Sequence, residues 1–189
     1  DLMPSDITGT ELLEDDGTGK KHFRFTKGPV FANIILADEI NRAPPKTQAA
    51  LLEAMQERQT TLEGETHALP RPFLVLATQN PIEYEGTYPL PEAQVDRFLM
   101  RIDIGYPTRE QEKEVLDRRR QRKSDDVRIP AVSDPEGVLA LQAAVEEVHV
   151  DDDVERYIVE VVARTREHAQ VEVGASPRGS LALMKLGRA

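Results

Sequence analysis

The sequence contains no cysteine among its 189 residues, and its 34 acidic residues outnumber its 24 basic ones. The absence of cysteine excludes disulfide bonds and thiolate metal sites, and it suits a protein of the cytoplasm. The formal net charge of -10 argues against general nucleic-acid binding, because no broad basic surface is available to displace counterions from a phosphate backbone. We therefore expect an acidic protein without a nucleic-acid partner.

Long apolar runs are also missing. No run approaches the roughly 20 residues that a helix needs to cross a bilayer, so we expect no integral membrane segment. The first residues, 1–4, lack the charged start and apolar core of a signal peptide, and the chain does not begin with methionine. We expect a processed or partial chain. An apolar fraction of 39% supports a packed core and argues against wholesale disorder.

Two apolar runs end in polar side chains. The run at 34–37 leads directly into Asp38 and Glu39, and a second run at 73–78 leads to Asn80. Continuous apolar runs of this length are typical of buried parallel strands, and open α/β sheets bind their ligands at the carboxyl ends of their strands. We expect the two strands to be neighbours, so that the acids and the amide face one crevice.

Such a crevice suits phosphoryl transfer to water. That reaction needs a metal ligand, a base that orients water and a sensor of the terminal phosphate within a few ångströms of each other. Positive charge must also meet the negative charge that develops, and Arg97 and Arg178 are available for this role.

The remaining patterns predict the other elements. Residues 1–20 are interpreted as loop with a turn at 14–19, a β-hairpin is expected over 23–32, and a third core strand is predicted at 101–106. After Pro107 the sequence predicts only helices. The predicted helices cover about 44–57, 108–123 with Thr108 and Gln111 as a capping box, 133–147 with Ser133 and Glu136 as caps, 154–165, and a last one begun by Ser176 and Pro177.

Five motifs follow one another along the chain. They read LMPSDITG at 2–9, GPVFANIILADEINRAPPKTQ at 28–48, ATQNP at 77–81, EGTYPLPEAQVDRF at 85–98 and GASPRG at 174–179. In this order and spacing they resemble MoxR-type AAA+ ATPases over nearly the whole chain. The resemblance implies a P-loop NTPase-like parallel-sheet core at 1–107, running from the helix-2 insert through strand 5, and part of a small all-α lid at 108–189.

The resemblance also assigns roles and ligands. Asp38 resembles the Walker B acid that holds Mg²⁺ through water, and Glu39 resembles the general base. Asn80 is similar to sensor 1, Arg97 to the arginine finger that reaches the neighbouring subunit's nucleotide, and Arg178 to sensor 2 on the lid. ATP and Mg²⁺ are the implied ligands. Whether the two arginines act in cis or in trans stays open.

One family motif has no counterpart in this sequence. The phosphate-binding loop, in which glycines precede Lys and Ser or Thr, would lie before residue 1, and residues 17–21 lack its spacing and its preceding strand. We expect the functional protein to be longer at both ends, the remaining strands to expose apolar edges, and this chain alone to bind ATP poorly.

Several functions are compatible with these observations. The resemblance implies a ring-forming, chaperone-like ATPase, usually hexameric, that matures other proteins or inserts metal cofactors, often with a von Willebrand factor A domain partner. A fragment or a non-hydrolysing interaction module is one alternative, and a metal-chelatase motor subunit or helicase relative is another. For Arg97, a surface ion pair with Asp96 or a nearby acid is a simpler interpretation than catalysis.

Overall fold

The structure is a computed structural model that describes residues 2–15, 21–62, 64–80 and 86–189. In chain order its elements are α1 (Pro4–Thr8), β1 (Gly9–Asp15), β2 (Lys21–Lys27), β3 (Ile34–Ala37), a 3₁₀ turn (Ile40–Arg42), α2 (Pro45–Glu57), β4 (Gln59–Leu62), β5 (Glu65–Ala68), β6 (Leu74–Ala77), α3 (Glu92–Val95), α4 (Arg109–Arg122), α5 (Pro135–Glu146), α6 (Asp152–Glu167) and α7 (Pro177–Arg188). The described strands pair as β1-β2, β3-β6 and β4-β5.

The two apolar strands are neighbours, as predicted. β3 and β6 pair in parallel, with Ile34 opposite Leu74 and Ala37 opposite Ala77. The side chain of Asn33 begins the pairing, because its Nδ2 donates to the carbonyl of Pro72 over 2.7 Å. One face of the pair stays uncovered: at least half of the surface of each of its large side chains is exposed, at Ile34, Leu36, Leu74 and Leu76.

The first hairpin differs from the prediction. β2 pairs antiparallel with β1, from Gly9 opposite Lys27 to Asp15 opposite Lys21. The interpretation as loop was therefore wrong for residues 4–15, which form α1 and β1, and the hairpin over 23–32 was wrong as well. Most side chains of the two strands are exposed on both faces. A strand exposed on both faces needs no alternation of apolar and polar residues, so the sequence of β1 lacks the pattern that predicts a half-buried strand. The predicted turn at 14–19 falls mostly on 16–20, outside the described residues.

Helix α2 lies at the centre of the small core. Its apolar Leu51 and Leu52 are buried, and so is the polar Gln48, whereas Ala49 is exposed. Beside them, the apolar cluster of Val30, Ala54 and Leu69 packs against the partly buried Ile7, Phe31 and Phe73. The core thus holds α2 between the base of the first hairpin and the segment that enters β6.

The later helices follow their caps. At α4 the predicted capping box is confirmed, since the Thr108 hydroxyl accepts from the Gln111 backbone and the Gln111 side chain accepts from Thr108 N. At α5 the cap is Asp134, whose Oδ1 accepts from Gly137 N over 2.8 Å. The prediction of Ser133 was one residue early, because Pro135 occupies the first helical position.

The predicted third core strand at 101–106 was wrong for this structure. These residues form no strand, and Ile104 and Tyr106 are 93% and 96% exposed. A strand needs a neighbour for its backbone groups, and no described strand runs beside this segment. The division of the chain at residue 107 stays a prediction.

The predicted helices near the end of the chain are confirmed and tightly joined. α6 follows the apolar spacing from Val154, and α7 begins with Ser176 as its cap and Pro177 in its first turn. Between them, Ala175 N donates to Thr165 Oγ1 over 2.9 Å, and Arg166 Nε donates to Ala175 O over 2.7 Å. These bonds set where α7 begins. Across the described ranges, no helix combines the length and apolar character that a membrane crossing requires.

Candidate functional site

Two acids and a threonine meet where β3 and β6 end. The hydroxyl of Thr78 donates to Asp38 Oδ1 over 2.5 Å and accepts from Glu39 N over 2.9 Å. The backbone continues the pairing beyond the strands, because Thr78 N donates to Ala37 O and Ile40 N donates to Thr78 O. The carboxyl ends of the two strands are thereby held together, and the orientation of Asp38 depends on Thr78.

Glu39 has an uncommon backbone conformation. Its φ of 50° and ψ of 51° lie in the left-handed region, which residues other than glycine seldom occupy and which recurs at functional sites. The 3₁₀ turn at 40–42 begins directly after it. Arg42 Nε lies 3.0 Å from Glu39 Oε2, and both side chains are partly exposed. The pair sets the direction of the carboxylate more than it stabilises the fold.

A buried amide supports this turn from behind. The side chain of Gln48 in α2 is only 2% exposed, and its Nε2 donates to the carbonyls of Ile40 and Tyr88 over 3.1 and 2.8 Å. Tyr88 N in turn donates to Asn41 O over 2.6 Å. Gln48 therefore ties the turn after Glu39 to the segment that leads towards Arg97.

A second polar cluster joins the α/β part to the last helix. Ser176 Oγ lies 2.9 Å from both carboxylate oxygens of Asp96, and Arg178 Nη1 lies 3.1 Å from Asp96 Oδ2. Asp96 follows the short helix α3 and immediately precedes Arg97. The ion pair of Asp96 is with Arg178, so the simpler interpretation of Arg97 as the partner of Asp96 was wrong.

The predicted residues thus fall into two groups. The first group lies at the strand ends. Asp38 and Glu39 are consecutive residues after β3, and Asn80 lies three residues beyond the end of β6, two positions after Thr78. Arg97 is exposed, with its backbone N–H bonded to Gln94 O. Arg178 and Arg97 are connected through Asp96. Pro81, the last residue of the motif at 77–81, lies outside the described residues.

The geometry of Asp38 fits a water-mediated role at Mg²⁺. Oδ1 is used by Thr78, and within the described ranges no hydrogen bond occupies Oδ2. Those ranges hold no group of three or more His, Cys, Asp or Glu residues that encloses a metal ion. Mg²⁺ commonly binds one or two carboxylates, keeps several waters and takes further oxygens from substrate phosphates. A single exposed carboxylate suits such an ion better than a closed protein site.

Sequence reasoning missed three positioning side chains. Thr78 was placed only as the end of a strand, Gln48 only as part of a motif, and Asp96 only as an ion-pair partner of Arg97. All three lie within motifs that were recognised, which was the available signal. Apart from the bond of Gln48 to Ile40, which spans 8 positions, the contacts join residues about 40 positions apart or, for Asp96, 80 or more, and no local pattern encodes them.

Two adjacent parallel strands, the first followed by two acids and the second by polar residues, form the kind of strand end at which open α/β folds bind their ligands. The profile of the ATPase family associated with various cellular activities, AAA, matches residues 1–100. The chain belongs to this family, and within it to the MoxR type, with a P-loop NTPase-like core followed by a helical part.

Similar proteins cover the whole chain. The chain is 49% identical over 189 residues to the uncharacterized protein YeaC of Bacillus subtilis and 46% identical over 197 residues to the chaperone MoxR1 of Mycobacterium tuberculosis. The crystal structure of an ATPase candidate from Cytophaga hutchinsonii superposes with a TM-score of 0.86 at 44% identity, over 100% of this chain. The chain spans 58%, 51% and 58% of these three proteins, respectively.

Proposed function

We propose that these residues supply the acidic and sensor side of an ATP-hydrolysing site in a chaperone-like remodelling ATPase. The observation that carries the proposal is the cluster at the ends of β3 and β6, where Thr78 orients Asp38 and the backbone of Glu39 is held by the same hydroxyl. Family membership supports it, because the matched profile is that of ATPases.

Each side chain then has a task in the reaction. Asp38 would hold Mg²⁺ through the ion's water shell, and the ion would supply neutralisation of the charge on the phosphates. Glu39 accepts a proton from the attacking water, for which its carboxylate must first loosen from Arg42. Asn80 orients that water. Arg178 donates to the phosphate oxygens, where positive charge lowers the barrier most.

The proposal also covers the assembly of the subunits and their partners. We infer that Arg97 acts on the nucleotide of a neighbouring subunit, since its side chain is exposed, and that the subunits form a ring, with a hexamer as the predicted size. A client protein or a von Willebrand factor A domain protein is the proposed partner, and maturation of proteins or insertion of a metal cofactor is the proposed outcome. The cytoplasm stays the predicted location.

The test is ATP turnover by the natural polypeptide that carries these 189 residues, with Glu39→Gln beside it. We expect turnover to fall by about a hundredfold or more, the usual contribution of a general base, while ATP binding persists. Glu53→Gln is the matched control, because Glu53 is an exposed glutamate on α2 and its loss should leave turnover unchanged. Turnover by neither the wild type nor the variant would favour the non-hydrolysing interaction module.

A further inference from the structure

Asp96 is the point at which the last helix is attached to the α/β part. Its carboxylate bonds to the hydroxyl of Ser176 and to the guanidinium of Arg178, which lie 80 and 82 positions further along the chain. Ser176 is also the cap of α7, because its Oγ accepts from Arg178 N over 3.1 Å. One carboxylate therefore holds both the cap and the second residue of the helix.

The position of Asp96 is electrostatically favourable. α7 has 12 residues, and a carboxylate at the N-terminus of a helix meets the positive end of its dipole. A cation at that end is unfavourable unless a negative group compensates it, and Asp96 compensates Arg178. The side chains of Asp96 and Arg178 are 32% and 55% exposed. An ion pair so open to water adds little to stability, so its main consequence is the orientation of Arg178.

The contact leaves most of the guanidinium available. Only Nη1 is engaged by Asp96, and within the described residues the side chain has no second partner. Arginine carries five N–H donors in a rigid fork, which suits bidentate binding of phosphate. The residue after Asp96 is Arg97, the predicted arginine finger. Asp96 and Arg97 therefore form a dipeptide in which the first residue binds Arg178 and the second is itself a predicted functional arginine.

We infer that Asp96 is a positioning residue for Arg178, holding the N-terminus of α7 so that the free guanidinium donors meet a nucleotide phosphate. The inference rests on the proposed ATPase function. It assigns to Asp96 a role in phosphate binding that is exerted through Arg178, without contact between the carboxylate and the nucleotide.

A double-mutant cycle on ATP hydrolysis tests this. In the natural polypeptide, we expect Asp96→Asn to raise the KM for ATP and to lower kcat/KM by about tenfold to a hundredfold, since a misplacement of about 1 Å costs about a hundredfold. The variant with both Asp96→Asn and Arg178→Ala should be no worse than Arg178→Ala alone, because residues acting as one unit are non-additive. Asp153→Asn is the control, since Asp153 forms an exposed pair with Arg156 on α6.

Several outcomes would contradict the proposed role of Asp96. Additive losses in the cycle, or an Asp96→Asn protein with the KM of the wild type, would overturn the inference and leave the proposed function in place. If Asp96→Asn does not fold, Ser176→Ala removes the other half of the anchor and should raise KM in the same direction, and an unchanged KM would also overturn it. A wild-type protein that does not turn over ATP would contradict the proposed ATPase function itself, and it would also overturn the inference about Asp96, which rests on that function.

Discussion

The hydroxyl of Thr78 links the two acids of the site to the neighbouring strand, donating to Asp38 over 2.5 Å and accepting from Glu39 N over 2.9 Å. A threonine does this because a hydroxyl donates and accepts at once. Since β3 and β6 are parallel and in register up to Ala37 and Ala77, the next residues of the two strands, Asp38 and Thr78, must meet.

The first prediction concerns this hydroxyl. Thr78→Val keeps the shape of the side chain but removes the hydroxyl and both of its hydrogen bonds. Asp38 then loses the donor that orients it, and Glu39 N loses its acceptor. We expect kcat for ATP to fall by about tenfold, equivalent to about 1.4 kcal/mol in the barrier, and the Mg²⁺ concentration needed for half-maximal rate to rise. Thr78→Ser retains the hydroxyl and should keep most of the activity. Equal rates for the valine and serine variants would refute the role.

The second prediction concerns the buried amide of α2. Gln48→Leu removes the bonds to the carbonyls of Ile40 and Tyr88 and leaves buried acceptors unpaired. We expect the free energy of unfolding to fall by about 1 to 3 kcal/mol, the usual cost of an unsatisfied buried polar group, as measured by urea denaturation. Gln56→Leu on the exposed side of the same helix is the control and should change stability little. A Gln48→Leu protein as stable as this control would contradict the expectation.

The third prediction concerns the base of the first hairpin. A Cβ on Gly28 would lie 2.2 Å from the carbonyl oxygen of Ile7, and that oxygen already accepts from Val30 N over 3.1 Å. Because backbone cannot give way as a flexible side chain does, Gly28→Ala should cost about 1 to 3 kcal/mol, in the range of overpacked sites. Thermal or urea unfolding measures the loss.

Its control is Gly187→Ala in α7, where, apart from the backbone of the same helix and the two chain neighbours, no atom of the described residues lies within 4 Å of the added Cβ. There alanine should stabilise the helix by about 0.5 to 1 kcal/mol. If both alanine variants changed stability alike, the close approach at Gly28 would not be what constrains the hairpin.

Local chemistry made much of the fold predictable from the sequence. Thr108 with Gln111, and Ser176 with Pro177, mark helix starts through bonds that span only a few residues. The runs at 34–37 and 73–78 predicted parallel strands because a strand covered on both sides is apolar throughout. Prediction failed at β1, because its mostly exposed residues show no alternation of apolar and polar side chains. It failed at 101–106 because a strand needs a neighbouring strand, and no described strand runs beside that segment.

The sequence by itself determined the parallel strands, most of the helices and the acids after β3, since each depends on residues close in the chain. Only the tertiary structure decided that Thr78 orients Asp38, that Gln48 supports the turn after Glu39, and that Asp96 holds Arg178 rather than Arg97. Apart from the bond of Gln48 to Ile40, which spans 8 positions, these contacts join residues 40 to 82 positions apart. A hydrogen bond depends on the distance and direction between two groups, and only the packing of the whole chain brings such distant groups together.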